Sequence, residues 1–373
     1  MTAWFWRAAW GVVLALLVAA CGSGQAPPPV PASTTAANTA QPNARERLQQ
    51  MIAGHIPSML VSVAAKLRIA DHLRDGPKSV AELSKATGAH EDSLYRILRA
   101  LTELGLFAEE PARTFRLNEA AEPLRSDVPG SLRAAAEVQG EPWMRGPWGA
   151  LLHSARTGDT AFNHLYGKGT FEFFAENPEA ALLFDTWQAA GTNAGAKAVA
   201  SAYDFAAAQS VIDVGGGFGA LLTAVLQRNQ ALKGALFDLP HVIAQAKGQF
   251  DPDLATRVEF LPGDFFKAVP AGHDVYLMKY ILHDWNDERS KAILASTRAA
   301  MRGRGKLLVV EVIVSPPNQS GGKVGDVFML VRTGGRNRTE PEYRALLGSG
   351  GFDLTRVIPT QSDLTIMEAT PRP

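Results

Sequence analysis

At 373 residues with 46% hydrophobic side chains, the chain is long enough for two folded domains and too apolar for global disorder. Lys and Arg (37) balance Asp and Glu (37), so net charge supplies no general attraction to nucleic acid or anionic lipid. A single cysteine, Cys21, excludes intramolecular disulfides and cysteine-rich metal sites, and no metal is expected.

The chain opens with Arg7, an apolar run from Ala8 to Ala20, and Val18-Ala19-Ala20-Cys21, a small-residue run ending at the cysteine. The run is too short to span a bilayer. Residues 1–21 resemble a bacterial lipoprotein signal, which implies a lipid anchor at Cys21; the competing reading is an apolar extension with an incidental cysteine. Residues 22–43, rich in Pro, Ala, Ser and Thr, read as a disordered linker. The expected address is the membrane, as a lipoprotein, if the signal is used, and otherwise the cytoplasm.

Between 44 and 125 the pattern turns helical. Ile52, Ile56, Met59, Leu60, Val63 and Leu67 recur at three- and four-residue spacing, which predicts one amphipathic helix. Val80, Leu83 and Ala86 follow, then a break at Thr87-Gly88, a second apolar stripe from Leu94 to Leu104, and a short strand pair ending near Leu117. Helix, glycine turn, helix and strand pair form a winged-helix pattern. As a DNA reader, the second helix would present cations or amides to the major groove. Its start instead carries Glu91 and Asp92, which phosphates repel, so no nucleic-acid partner is expected and a protein–protein role fits better.

Residues 126–200 are helical in pattern and carry Trp143, Met144, Trp148, Phe162, Phe171, Phe173, Phe174, Phe184 and Trp187, mostly core but with some free to line a flat substrate pocket. From 201 to 373, β-rich runs (Val211–Val214, Ala235–Phe237, Val258–Leu261, Val275–Met278, Leu307–Val310) alternate with helical segments. That order predicts an α/β domain with a mainly parallel, doubly wound, Rossmann-like sheet. Two later runs, Thr355–Ile358 and Leu364–Glu368, predict a hairpin at one sheet edge.

Val211-Ile212-Asp213-Val214 leads directly into Gly215-Gly216-Gly217-Phe218-Gly219 and an apolar helix. Such strand–glycine–helix turns let backbone approach a nucleoside-bearing ligand closely. Asp238 ends the second strand roughly 20 residues on, where a carboxylate accepts ribose hydroxyl protons. At this point a nicotinamide dehydrogenase competes with an S-adenosylmethionine (SAM) enzyme, since both share this device.

Three further segments decide between them: Phe237-Asp238-Leu239-Pro240-His241, Gly263-Asp264-Phe265-Phe266, and Met278-Lys279-Tyr280-Ile281-Leu282-His283-Asp284-Trp285. In that order they resemble the SAM-dependent O-methyltransferase family of plant caffeate, acetylserotonin and bacterial polyketide methyltransferases, over about Arg45 to Glu368. The resemblance implies a winged-helix dimerisation domain and a homodimer. It also implies SAM contacts from Asp213, Gly215, Gly217, Asp238, Asp264, Phe265 and Lys279, and methyl transfer to a hydroxyl of a small, aromatic molecule.

A phenol of pKa ~10 is mostly protonated at neutral pH, so a positioned base aids the transfer. His283 matches the family's catalytic histidine, and Glu311 matches the first carboxylate that orients it. A second carboxylate usually sits in a Gly-Gly-basic-Glu-Arg-Thr segment. This chain reads Gly334-Gly335-Arg336-Asn337-Arg338-Thr339, so Asn337 replaces that carboxylate with an uncharged amide. The departure keeps open a SAM-binding relative with altered chemistry; a winged-helix, ligand-responsive regulator is the other alternative.

Overall fold

A computed structural model describes residues 43–373, and two compact units divide the chain after Val128. The signal segment with Cys21 and the linker residues 22–42 lie outside the described residues.

The first unit contains helices α1 (Ala44–Ile52), α2 (His55–Lys66) and α3 (Ile69–His72), strand β1 (Lys78–Ser79), helices α4 (Val80–Thr87) and α5 (Glu91–Glu103), and strands β2 (Ala108–Glu110) and β3 (Thr114–Arg116). The one amphipathic helix expected around 52–67 is two. Pro57 has no N–H and its ring clashes with the carbonyl four residues back, so the helix breaks at Ala53-Gly54 and restarts at His55. Ser79 and Glu82 close a reciprocal capping box on α4, and Gly88 ends it in the left-handed conformation with φ 72°. β3 pairs antiparallel with both β1 and β2. Leu83, Leu94, Leu98, Leu101 and Phe115 form the buried core of this unit.

The second unit opens with six helices: α6 (Arg133–Gln139), α7 (Pro142–Gly149), α8 (Leu151–Thr157), α9 (Ala161–Tyr166), α10 (Thr170–Glu176) and α11 (Pro178–Ala202). Alternating elements follow: β4 (Ser210–Val214), α12 (Ala220–Arg228), β5 (Lys233–Asp238), α13 (Pro240–Ala246), α14 (Pro252–Ala255), β6 (Val258–Pro262), β7 (Val275–Lys279), α15 (Asp287–Met301), β8 (Lys306–Glu311), α16 (Lys323–Arg332), α17 (Glu340–Ser349), β9 (Phe352–Pro359) and β10 (Thr365–Pro371).

The seven strands run in the order β6-β5-β4-β7-β8-β10-β9. The first five are parallel, and β10 is antiparallel to both β8 and β9, so the hairpin lies at one edge. Alternate residues of each strand pack on opposite faces, as pleating requires. Ile212, Tyr276, Met278, Leu307 and Val309 join one core; Val211, Leu277, Leu308 and Val310 join the other. The strand order reverses at β4, whose neighbours are β5 and β7, and doubly wound sheets bind ligands in the crevice at that point. Each strand there extends past its apolar run to a charged residue: Asp238 ends β5, Lys279 ends β7 and Glu311 ends β8.

Candidate active site

The crevice beyond β4 opens into a cavity of about 440 Å³. The turn from β4 to α12 supplies one wall. Gly215 has φ 71°, and a Cβ there would press into the Ile281 side chain, so only glycine lets the loop sit this low. Gly215 N–H donates to the Phe237 carbonyl at 2.8 Å. Asp238 accepts from Gly217 N at 2.8 Å and from Leu239 N at 2.6 Å, so the loop and the carboxylate fix each other. Asp213, Gly215, Gly217, Asp238, Asp264, Phe265 and Lys279 all line this cavity.

Asp185 lines it too, from α11, beyond the reach of any motif reading. Burial pushes its carboxyl up to about 6, with the Asp238 charge adding to the effect. Burial raises Asp238 as well and lifts Asp213 to about 7, while it lowers the Lys279 ammonium to about 8 against the pull of Asp213. A wall with three costly carboxylates and little cationic compensation suits a ligand that brings positive charge and hydroxyl donors. The lining also includes Phe171, Phe174, Phe184 and Trp285, apolar rings suited to a planar molecule.

His283, Glu311 and Asn337 cluster beside this cavity and are not among its lining residues, whereas their neighbours Tyr280, Ile281, Asp284 and Trp285 are. The imidazole stacks on Tyr280, with ring centroids 5.0 Å apart, and its Nε2 lies 3.8 Å from Asp284 Oδ1. Its side chain is 12% exposed. A single 3₁₀ turn, Leu282–Asp284, carries it and is held from two sides. Glu311 Oε1 accepts from the backbone N–H of Ile281, Leu282 and His283 at 3.2, 3.0 and 3.4 Å. Arg338 donates to the carbonyls of Leu282 and Trp285 at 3.0 Å each and pairs with Asp287 at 2.7 Å. Gly335 packs on the turn's backbone, where a Cβ would overlap His283, Asp284 and Trp285.

Asn337 fixes the imidazole's tautomer. Its Nδ2 donates to the Gly322 carbonyl at 3.1 Å, and a carbonyl only accepts, so Oδ1 is the end that faces His283 Nδ1 at 3.1 Å. Nδ1 must then carry the proton, leaving the lone pair on Nε2. Glu311 is the more distant partner: its Oε2 is 3.7 Å from Nδ1 and has no hydrogen-bond partner among the described residues. Burial lowers the imidazole to about 4 and raises Glu311 to about 8 and Asp284 to about 7, so the cluster is poised near neutrality of charge. Among the described residues, no group of three or more His, Cys, Asp or Glu is arranged to hold a metal, and no helix is long and apolar enough to cross a membrane.

Residues 148–353 match the model of an O-methyltransferase domain, and residues 49–127 that of an O-methyltransferase dimerisation domain. The chain is 42% identical over 327 residues to a phenazine O-methyltransferase of Lysobacter antibioticus, covering 87% of this chain and 95% of that protein. The crystal structure of LaPhzM superposes with a TM-score of 0.85 at 41% identity, covering 88% of this chain and 99% of that one. An O-methyltransferase from neocarzinostatin biosynthesis, solved with SAM and 2-hydroxy-5-methyl naphthoic acid, gives a TM-score of 0.75 at 34% identity over 84% of this chain and 95% of that one. With a glycine-cradled acidic crevice at the sheet's switch point and matches across both units, the chain belongs to the SAM-dependent O-methyltransferase family.

Proposed function

We propose that the protein methylates a hydroxyl oxygen of a small aromatic molecule, with SAM as donor and His283 as general base. The observation that carries this reading is the bare Nε2 of a neutral, buried imidazole, held beside a cavity with an acidic, glycine-rich wall and an aromatic one.

When bound, SAM supplies an electrophilic methyl group on a sulfonium. Asp238 would accept from the ribose hydroxyls, Asp264 would accept from the adenine amine, and Phe265 would pack on the adenine. The carboxylates of Asp185 and Asp213 favour the ligand's positive charge. The aromatic face lays the acceptor flat and excludes water, which aligns oxygen and methyl carbon. His283 Nε2 takes the acceptor's proton. Asn337 Oδ1 steadies the opposite nitrogen, and the new imidazolium draws the nearby Glu311 toward its ionised form.

Incubation with SAM and a panel of hydroxylated aromatics, with release of S-adenosylhomocysteine (SAH) as readout, tests the assignment. Product gaining one methyl on oxygen is expected. The amide at position 337 favours a second reading, SAM binding with altered chemistry, and SAM binding with no methylated product from any acceptor would select it.

The exposed apolar side chains of Leu48, Met51, Ile52 and Ile56 on α1 and α2, between 46% and 75% exposed, support a homodimer closed over this face. A monomer by light scattering would remove that proposal. The segment ending at Cys21 supports lipid anchoring, which metabolic labelling with a clickable fatty acid, with and without Cys21→Ser, tests directly.

A further inference from the structure

Behind the aromatic face of the cavity lies a buried cation that methyl transfer does not use. Arg332 closes α16, is 1% exposed, and places its guanidinium among the rings of Trp143, Phe162, Phe174, Phe184 and Phe328, with Cζ 5.4–5.8 Å from each centroid. Among the described residues its one side-chain hydrogen bond goes to the Met144 sulfur at 3.3 Å, a weak acceptor, and its Nη2 has no partner there. Rings recover part of the lost hydration of a cation but offer no directed acceptor for the guanidinium fork. A buried charge so poorly paired is costly in a purely structural role, since an apolar side chain of similar volume would serve at least as well.

Two of the caging rings, Phe174 and Phe184, also line the cavity. One ring layer therefore separates the guanidinium from the space assigned to the acceptor. We propose that Arg332 is a specificity residue for an acceptor that carries a carboxylate, the aromatic ring lying against Phe174 and Phe184 and the anion reaching the free Nη2 as those rings part. This rests on the methyltransferase reading of the same cavity and names its substrate class: hydroxylated aromatic acids.

Asp284 is the carboxylate that acts on Arg332 through space, and it lines the cavity too. An ionised Asp284 would oppose a second anion. Burial raises its carboxyl to about 7, so the neutral form that tolerates a substrate carboxylate is accessible near neutral pH.

The test uses full-length protein saturated with SAH and titrated with 2-hydroxy-1-naphthoate, 3-amino-4-hydroxybenzoate and the methyl ester of each. A charge-assisted pair to a buried guanidinium makes an acid about 10- to 100-fold tighter than its ester. Arg332→Met, which keeps volume and apolar contact, is expected to erase that preference while leaving SAH affinity unchanged, and Arg332→Lys to retain part of it. Equal binding of acid and ester, no binding of either acid, or a preference that survives in R332M would overturn the assignment. Failure of the wild-type protein to bind SAH at all would instead strike the methyltransferase reading beneath it.

Discussion

Replacing His283 with Asn separates the base from the scaffold. The asparagine Nδ2 stands where Nδ1 does and can still donate to Asn337 Oδ1, which His283 Nδ1 meets at 3.1 Å, so the turn held by Glu311 and Arg338 persists while the Nε2 lone pair is lost. A phenol of pKa ~10 is ionised to about one part in 10³ at pH 7. Without a base the enzyme must select that fraction, so the rate should fall by about 10³, inside the roughly 10² to 10⁴ expected of general-base catalysis. That loss is about 4 kcal/mol of barrier. It should shrink about tenfold per pH unit between pH 7 and 9 as solution ionisation replaces the base. Initial rates of SAH formation at saturating SAM, measured for both proteins across that range, supply the check. A loss under tenfold at pH 7, or one independent of pH, would refute the role of the imidazole.

Asn337→Glu should raise the methylation rate severalfold, because a charge-assisted bond to the imidazolium exceeds a neutral one by about 1 kcal/mol; an unchanged rate in steady-state assays would show that the missing charge is not limiting. Gly335→Ala should cost roughly 1–3 kcal/mol of stability and most of the activity, since the added methyl overlaps the backbone of His283 to Trp285, and a variant with normal melting and turnover would contradict that packing. Glu311 has a folded pKa raised to about 8, so it holds its proton longer in the folded than in the unfolded chain, and its contribution to stability falls as pH climbs from about 4.5 to 8. Thermal melts of wild type and Glu311→Gln should therefore diverge with rising pH, the variant gaining relative stability; parallel curves would count against a buried, protonated Glu311. His283, lowered to about 4, should show one protonated nitrogen, Nδ1, by ¹⁵N NMR from pH 8 down to 5, and protonation near 6.5 would mark a solvated ring.

The parallel strands were legible because each is a short apolar run between breakers, and the glycine turn because a loop that low against Ile281 admits no side chain. Asp238 was legible as the end of its strand, but Lys279 was not, since it is polar and falls outside the apolar run although the pairing carries it into the sheet. The α1–α2 break was missed through Pro57, whose penalty falls on the carbonyl four residues earlier while the apolar spacing continues across it. Asp185 and Arg332 carry no motif. One reaches the cavity from α11, a helix that precedes the glycine turn in the chain, and the other reads in sequence as an ordinary helix-ending cation, so only packing reveals them. Asn337 stood out as a departure, but that it fixes the imidazole's tautomer depended on the Gly322 carbonyl, 15 residues away.

Isothermal titration of SAH into the full-length protein and its Asp238→Ala variant tests the central assignment most directly. One site per chain in the wild type, weakened at least about tenfold when the carboxylate that braces Gly217 is removed, is the predicted result. No heat with SAH, accompanied by binding of NADH, would contradict it.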